Sequence, residues 1–350
     1  MAAKKVYLCR IAALAPQARA AGQAERCARK MKWKDYVWPI IGLVAVALSV
    51  WLLVDELRGI SLDDVGEGLS AISLHQWLLA ALGSFVAYAA LAGYDHIALL
   101  HVGKRVPWLF ISLCSFTTYA LSHNIGGSVV SGAVIRYRAY SSRGLTATEI
   151  GILVVLCSST FVLATLALSG VVLVLQPELV DRYFPNFPPA WGLAAGIVLL
   201  GVVALYAFLS WLHFRPLHIR GLDIHYPRLP IVWRQLIIGP VELIGAASII
   251  YFALPAAGNP GFITVLGIFI ASFSVAQISH APGGIGVLEY VFVSGMPEMD
   301  PAAAIAALLV FRLFYLIIPL VLAVGVVLVF ERSQFARTWA RPLPTDTDAG

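Results

Sequence analysis

Charged residues are scarce in this chain. Asp, Glu, Lys and Arg make up 12% of its 350 residues, whereas hydrophobic residues make up 60%. A soluble core cannot hide that much apolar side chain, so the composition excludes a soluble protein and predicts a polytopic membrane protein. Cysteine is also rare. Because the four cysteines show no two-residue spacing, neither a disulfide framework nor a zinc site is expected; they are Cys9, Cys27, Cys114 and Cys157.

Catalytic signatures are absent from the sequence. It contains no Gly-x-Ser-x-Gly, no His-Glu-x-x-His, no P-loop and no Gly-x-Gly-x-x-Gly after a strand pattern. These absences predict a protein that is not an enzyme and that binds neither a metal nor a cofactor. The net charge of +5 does not indicate a nucleic-acid partner, because the basic residues lie in loops and tails rather than in a binding stripe.

Long apolar stretches make up most of the chain. Six of them are long enough to cross a hydrocarbon core, which takes about 20 helical residues. They are 37–54, 77–100, 149–175, 191–213, 235–254 and 302–330. Two more stretches, 108–135 and 262–295, are apolar but are interrupted by paired glycines.

The distribution of Lys and Arg predicts how the chain is oriented. The basic segments are 1–36, 101–107, 136–148, 214–234 and 331–350, which hold nine, two, three, four and three Lys/Arg. The loops that alternate with them hold only Arg58 and Arg182. Because basic loops stay in the cytoplasm, both termini are predicted to be cytoplasmic, and the expected location is the cytoplasmic membrane.

The sequence Ser-His-x-x-Gly-Gly occurs twice, at 122–127 and at 279–284. Histidine is costly to bury in lipid and paired glycines break helices, so the repeat indicates a duplicated element with a function. Both flanks of 108–135 are cytoplasmic by charge and both flanks of 262–295 are external. Each segment is therefore predicted to enter and leave the membrane on one side, as a re-entrant helical hairpin.

The predicted fold is an all-α polytopic membrane protein, with about six full crossings plus two re-entrant helical hairpins arranged as inverted-topology repeats. The repeats span about 77–175 and about 235–330. The second arms of the hairpins, 128–135 and 285–295, would span only about 12–17 Å, roughly half of a hydrocarbon core. The predicted organisation is a basic cytoplasmic tail at 1–31, with Met1 or Met31 as the start, a transmembrane domain at 32–332 and a cytoplasmic tail at 333–350.

A half-helix that begins after Gly127 or Gly284 would direct unpaired backbone N–H groups into the membrane interior, where they favour a phosphate or a carboxylate. Pro282 fits such a break because it ends the incoming helix. The alternative is close helix packing through small residues. Ionisable residues in the apolar segments are few, and each should face the protein interior or water. They are Asp95, Glu149, Glu242, Glu289, Arg312, His96, His123 and His280.

Several of these residues have two interpretations. Arg312 either forms a buried pair with Glu289 or caps a carbonyl group, or it binds a phosphate head group. Its spacing predicts one helix face with Tyr315 and Pro319. His123 and His280 are either polar supports at a helix break or proton carriers. For Arg136 and Arg138 the alternatives are snorkelling to the interface and gathering anionic head groups.

Three motifs resemble those of a known family. They are SHNIGGSVVSGAVIRYRAY at 122–140, HAPGGIGVLEY at 280–290 and Arg312-x-x-Tyr315-x₃-Pro319. Together they are similar to the membrane domain of bacterial lysylphosphatidylglycerol synthetases, which also occurs alone in the UPF0104 (YbhN-like) proteins. The resemblance covers about residues 35–330 and does not include a soluble aminoacyltransferase domain. It implies a substrate-binding set of Asn124, Gly126, Gly127, Gly132, Arg136, Arg138, Pro282, Gly283, Gly284, Gly286, Glu289, Arg312 and Tyr315, with His123 and His280 as supports.

The resemblance implies a flippase-like protein that moves a phospholipid, anionic or aminoacylated and similar to phosphatidylglycerol, between leaflets. Membrane phospholipids are the expected partners. A separately encoded lipid-modifying enzyme is a further partner if the chain acts as an accessory subunit. Two alternatives remain open from the residues alone. One is an accessory subunit that presents lipid to a separate transferase, and the other is a small-solute or ion transporter. The oligomeric state is left open.

Overall fold

A computed structural model describes residues 62–125, 128–186, 188–212, 217–219, 222–224 and 226–339. The α-helices in these ranges are α1 (Leu62–Ser70), α2 (Leu74–Val102), α3 (Trp108–Ile125), α4 (Ser128–Ser141), α5 (Ala147–Leu175), α6 (Pro189–Trp211), α7 (Leu229–Ala253), α8 (Phe262–Ser279), α9 (Val287–Ser294), α10 (Pro301–Phe311) and α11 (Ile318–Trp339). Two 3-10 turns (Pro177–Arg182 and Pro282–Gly284), a π-helix (Arg312–Ile317) and a small antiparallel hairpin of β1 (Leu217–Ile219) and β2 (Leu222–Ile224) complete the described elements.

Six of the described helical segments are long and apolar enough to cross a membrane. Five of them, α2, α5, α6, α7 and the continuous α10–π–α11 segment, coincide with predicted crossings. The sixth is α8, whose 18 residues span about 27 Å and which the glycine pattern predicts as one arm of a hairpin. The all-α membrane fold is confirmed. The predicted crossing at 37–54 and the tail at 1–31 lie outside the described residues.

Local sequence accounts for the ends of the long helices. α2 begins with a capping box, in which Gln76 N donates to Ser73 Oγ and Ser73 N donates to Gln76 Oε1 at 2.9 Å. It ends at Gly103, which has a left-handed φ of 76°. Thr146 and Glu149 form the same box at the start of α5. The two capping boxes satisfy orphan N–H groups at the first turns of α2 and α5.

The helices α2 and α7 pack along each other and form the centre of the domain. They cross where two glycines meet. A Cβ on Gly83 would lie 2.8 Å from Gly245 O, and a Cβ on Gly245 would lie 2.9 Å from Gly83 O. Only glycine allows backbones to approach this closely. Since α2 and α7 open the two predicted repeats, the crossing joins the repeats through equivalent helices.

Each of these helices is followed by a broken hairpin. α3 and α4 pack against each other after α2 and form the first hairpin, and α8 and α9 do so after α7 and form the second. α4 has 14 residues and is longer than the predicted half-helix, whereas α9 has only eight and begins two residues later than predicted. The order of long helix, broken hairpin and long helix occurs in both predicted repeats. Membrane re-entry and the inverted orientation of the repeats stay predictions.

An exposed ion pair links the second hairpin to the segment after α5. Arg182 Nη2 lies 2.7 Å from Glu298 Oε1, and Arg182 Nη1 donates to Gly295 O at 2.8 Å. These hydrogen bonds from Arg182 lower the pKa of the Glu298 carboxyl. The pair lies on the side that the charge distribution assigns to the exterior.

Candidate functional site

The second Ser-His-x-x-Gly-Gly motif forms a tight turn between α8 and α9. His280, Gly283, Gly284 and Gly286 all have left-handed φ values, between 57° and 79°. Glycine adopts this conformation without strain, which explains three of the four residues. The predicted helix break is therefore present, and α9 starts only after Gly286, its N-cap.

Glu289 links this turn to Arg312. Its Oε2 accepts a hydrogen bond from Gly286 N at 2.8 Å, and its Oε1 pairs with Arg312 Nε and Nη2. Arg312 Nη1 also donates to Gly283 O at 3.0 Å. The predicted Glu289–Arg312 pair is thus present in the structure. The side chains of Arg312 and Glu289 are 14% and 11% exposed, so the pair is screened from solvent but can still be reached.

The two repeated motifs meet at a narrow cleft between α3, α8 and the turn that precedes α9. His123 contributes from the first motif, while His280, Gly283 and Gly284 contribute from the second. The other lining residues are Phe273, Ala276, Gln277, Ala281, Leu288, Phe311 and Leu316. Because Gly283 lines the cleft and accepts a bond from Arg312, the ion pair lies directly beside it.

His123 packs against Tyr315 at the inner end of the cleft. The two rings are stacked, with centroids 5.4 Å apart and an interplanar angle of 16°. The Nδ1 atom of His123 is buried and has no hydrogen-bond partner. On its other side Tyr315 donates its hydroxyl to Glu242 Oε1 in α7. His280, in contrast, is exposed, and its Nδ1 lies 2.7 Å from Ile278 O.

Arg312 and Tyr315 lie in a π-helix and contact different partners. The prediction that Arg312, Tyr315 and Pro319 share one face assumed an α-helix, and it is wrong because the π-helix has a wider turn. Three carbonyl groups of this turn accept side-chain hydrogen bonds from neighbouring helices. Ser84 Oγ donates to Phe314 O (2.7 Å), Tyr88 Oη to Tyr315 O (2.9 Å) and Asn124 Nδ2 to Leu316 O (3.2 Å).

Asn124 therefore connects the first motif to the π-helix. Its Nδ2 also donates to Ala120 O at 2.7 Å, one turn back in α3. Among the other predicted site residues, Gly126 and Gly127 lie outside the described residues, and Pro282 begins the 3-10 turn. Arg138 is exposed near the end of α4 and is not part of the cleft.

Arg136 occupies a second buried charge cluster, away from the cleft. Its Nη2 lies 2.7 Å from Asp95 Oδ1, and its guanidinium carbon lies 4.8 Å from the centre of the Tyr119 ring. Tyr140 Oη donates to Asp95 Oδ2 at 2.9 Å, and Cys157 Sγ lies 3.4 Å from Asp95 Oδ1. The expectation that Arg136 snorkels to the interface or lies open to head groups is corrected, because the side chain is almost fully buried with a carboxylate partner.

Gly132 allows this cluster to form. A Cβ at this position would lie 3.2 Å from Thr118 Cγ2 and 3.3 Å from Arg136 Nη1. Its role is therefore close packing of α4 on α3 rather than contact with the cleft. The sequence marks Asp95 as a rare intramembrane acid, but its spacing does not identify Arg136 as the partner that the structure shows. Within the described ranges no group of three His, Cys, Asp or Glu side chains is arranged to hold a metal ion.

The long apolar helices, their broken hairpins and the buried ion pairs define a multi-pass α-helical membrane protein. The family described as "Lysylphosphatidylglycerol synthase TM region" matches residues 40–323, and the chain belongs to this family.

Named relatives agree with this assignment. The inner membrane protein YbhN of Escherichia coli is 29% identical over 87% of this chain and 93% of its own length. An uncharacterized protein, slr0712, of Synechocystis is 27% identical over 80% of this chain and 87% of its own length. A phosphatidylglycerol lysyltransferase of Staphylococcus haemolyticus is 24% identical over 87% of this chain, but this match covers only 35% of the transferase. The family is thus consistent with a lipid-related membrane function.

Proposed function

We propose that this protein moves a phospholipid with an anionic or aminoacylated, phosphatidylglycerol-like head group between the leaflets of the cytoplasmic membrane. The observation that carries this proposal is the convergence of the two repeated motifs on one cleft beside Arg312 and Glu289. Two breaks in separate parts of the chain are expected to meet at a substrate site in transporters built from repeats.

The Glu289–Arg312 pair supplies charges that suit such a head group. A phosphate can replace Glu289 as the partner of the Arg312 guanidinium, which binds phosphate oxygens in a bidentate manner. The released Glu289 carboxylate can then accept the amine of an aminoacylated lipid. The absence of a side chain at Gly283 leaves the backbone next to the pair uncovered, since a Cβ there would lie 3.7 Å from Arg312 Nη1, in van der Waals contact with the guanidinium.

The surroundings of the cleft favour a lipid over a small solute. Three exposed isoleucines directly adjoin cleft residues in the sequence, namely Ile278, Ile285 and Ile317. Such exposed apolar side chains suit contact with acyl chains at the opening of the site while the head group contacts the ion pair.

The test is transport in proteoliposomes with fluorescent phosphatidylglycerol and lysyl-phosphatidylglycerol. We expect faster leaflet exchange than in empty liposomes, and a loss of this activity in Arg312→Ala. Arg182→Ala is the matched control, because Arg182 also pairs with a glutamate but lies in the exposed link to Glu298. Exchange no faster than in empty liposomes for every head group would refute the proposal.

A second candidate is a subunit that presents lipid to a separately encoded transferase. The similarity to about a third of a phosphatidylglycerol lysyltransferase favours it, since this chain matches a part of a protein with that name. This candidate predicts stable co-purification with a lipid-modifying enzyme and little transport by the chain alone. Transport by the purified chain without a partner would exclude it.

A further inference from the structure

Three carboxylates are buried in the described helices, and only two of them have a basic partner. Asp95 pairs with Arg136 and Glu289 pairs with Arg312. Glu242 is 1% exposed, lies near the middle of the 25-residue helix α7, and has no Lys, Arg or His within ion-pair distance in the described part of the chain. It therefore requires a different means of neutralisation.

The groups that face Glu242 are phenols. Tyr315 in the π-helix donates its hydroxyl to Glu242 Oε1, and Tyr88 and Tyr94 in α2 are the other titratable side chains near the carboxyl group. The other helices packed against α7 are α5, α6, α8 and α10, and their titratable side chains have other partners. Glu149 pairs with Lys104, Cys157 contacts Asp95 and Tyr206 contacts Gln235. The second oxygen, Oε2, is buried without a hydrogen-bond partner.

This arrangement suits a neutral carboxylic acid. An isolated carboxylate at this depth would cost several kcal/mol or more, so the group takes up a proton instead. With the proton on Oε2, the carbonyl oxygen Oε1 remains free to accept the Tyr315 hydroxyl. We infer that Glu242 is a proton-binding site in the centre of the membrane domain and that its protonation is coupled to movement of the π-helix that carries Arg312.

The coupling runs through Tyr315, which lies three residues from Arg312 in the same π-helix. Tyr315 donates its hydroxyl to Glu242 in α7 and stacks on His123, so the proton on Glu242 and the position of the π-helix depend on the same side chain. A conformation that admits water to Glu242 allows it to ionise and release the proton. This part of the inference rests on the proposed lipid transport, with a proton gradient as the energy source.

The proton site is tested without transport by infrared difference spectroscopy of the whole chain in lipid. A carbonyl band of a protonated carboxylic acid, sensitive to hydrogen–deuterium exchange, is expected at neutral pH. It should disappear in Glu242→Gln and remain in Glu289→Gln. Tyr315→Phe keeps the acid but removes its hydrogen-bond donor, so the band should shift rather than vanish. A spectrum of Glu242→Gln that retains the band, or a Tyr315→Phe spectrum with an unshifted band, would overturn the assignment.

Coupling is tested with fluorescent phosphatidylglycerol in proteoliposomes under an imposed pH gradient. The gradient should change the initial rate of exchange about fivefold or more in the unaltered protein and have no effect in Glu242→Gln. An initial rate of lipid exchange that is the same with and without the pH gradient would overturn the coupling but leave the transport proposal standing. The infrared band without any exchange would support the proton site and refute transport.

Discussion

Each broken hairpin contributes one residue to an arginine–carboxylate pair, but the two pairs differ in position and burial. In the first, the arginine is on the short helix, and Arg136 reaches Asp95 on the long helix that precedes it. In the second, the acid is on the short helix, and Glu289 reaches Arg312 on the long segment that follows. The first pair is almost fully buried away from the cleft, whereas the second is partly exposed beside it.

The partners of the two pairs indicate different roles. Asp95 in α2 accepts hydrogen bonds from Arg136 and Tyr140 in α4 and from Cys157 in α5. The first pair therefore holds α4 against α2 and α5. The second pair shares its hydrogen bonds with the backbone of a glycine-rich turn. Similar charges therefore act as a fixed support in one hairpin and, on our proposal, as an exchangeable ligand site in the other.

The largest stability effect is expected in the first hairpin. Asp95→Ala leaves Arg136 buried without its partner, which costs about 3–5 kcal/mol of unfolding free energy. Thermal unfolding in detergent or lipid measures this loss. The double variant Asp95→Ala with Arg136→Met should recover part of it because no uncompensated charge remains. An unchanged melting temperature for Asp95→Ala would contradict the supporting role.

The second hairpin should respond in activity rather than in stability. Removing a hydrogen bond to a charged group costs about 1.5–3 kcal/mol, so Arg312→Ala and Glu289→Gln should each lower lipid exchange about tenfold or more. If the pair acts as a unit, the double variant is no worse than either single one. Exchange rates in proteoliposomes measure this. Two silent single variants would mean that the site lies elsewhere.

Glycine substitutions sharpen the comparison between the hairpins. Gly284→Ala forces a side chain onto a residue with φ of 64° and brings its Cβ to 3.0 Å from Ala276 Cβ, which costs about 1–2 kcal/mol. Gly132→Ala has no such strain but crowds Arg136 and costs about 1–3 kcal/mol. If the two variants lower the melting temperature equally, we expect Gly284→Ala to reduce lipid exchange more than Gly132→Ala. The reverse order would contradict the division of roles.

The smallest effect is expected at the exposed pair of Arg182 and Glu298. Arg182→Gln should cost about 0.2–1 kcal/mol at neutral pH. Because Arg182 lowers the pKa of Glu298 in the folded protein, the contribution is present above the unfolded pKa of glutamate and is lost as the pH falls through the lowered folded value. Melting curves of the two proteins should therefore converge in acid. A difference that persists in acid would assign it to the lost hydrogen bond to Gly295 O or to lost packing instead.

Much of this architecture could be predicted from local sequence signals. The length of the hydrophobic stretches predicted the crossings. The paired glycines of the repeated Ser-His-x-x-Gly-Gly motif predicted the breaks before α4 and α9. The Glu289–Arg312 pair followed from the rule that rare intramembrane charges find each other. The exact start of α9 differed because Gly286, rather than Gly284, is the residue that caps the helix.

Other features depend on neighbours that sequence spacing does not encode. Asp95 and Arg136 lie 41 residues apart on different helices, so only the packing of α2 against α4 identifies them as partners. The π-helix contains no glycine or proline within Arg312–Ile317 from which it could be predicted. Its carbonyl groups accept hydrogen bonds from Ser84, Tyr88 and Asn124 in two other helices. Tertiary contacts, rather than local preference, select this turn.

The π-helix also sets the rotational phase of everything on either side of it. Each residue in an α-helix advances the side chains by about 100°, so shortening this turn by one residue would swing α10 against α11 by about that angle. Arg312 can face the glycine turn while Tyr315 faces α7 only because the wider turn lies between two regular helices. A one-residue insertion or deletion in the π-helix would therefore rotate α10 relative to α11 about the common helix axis.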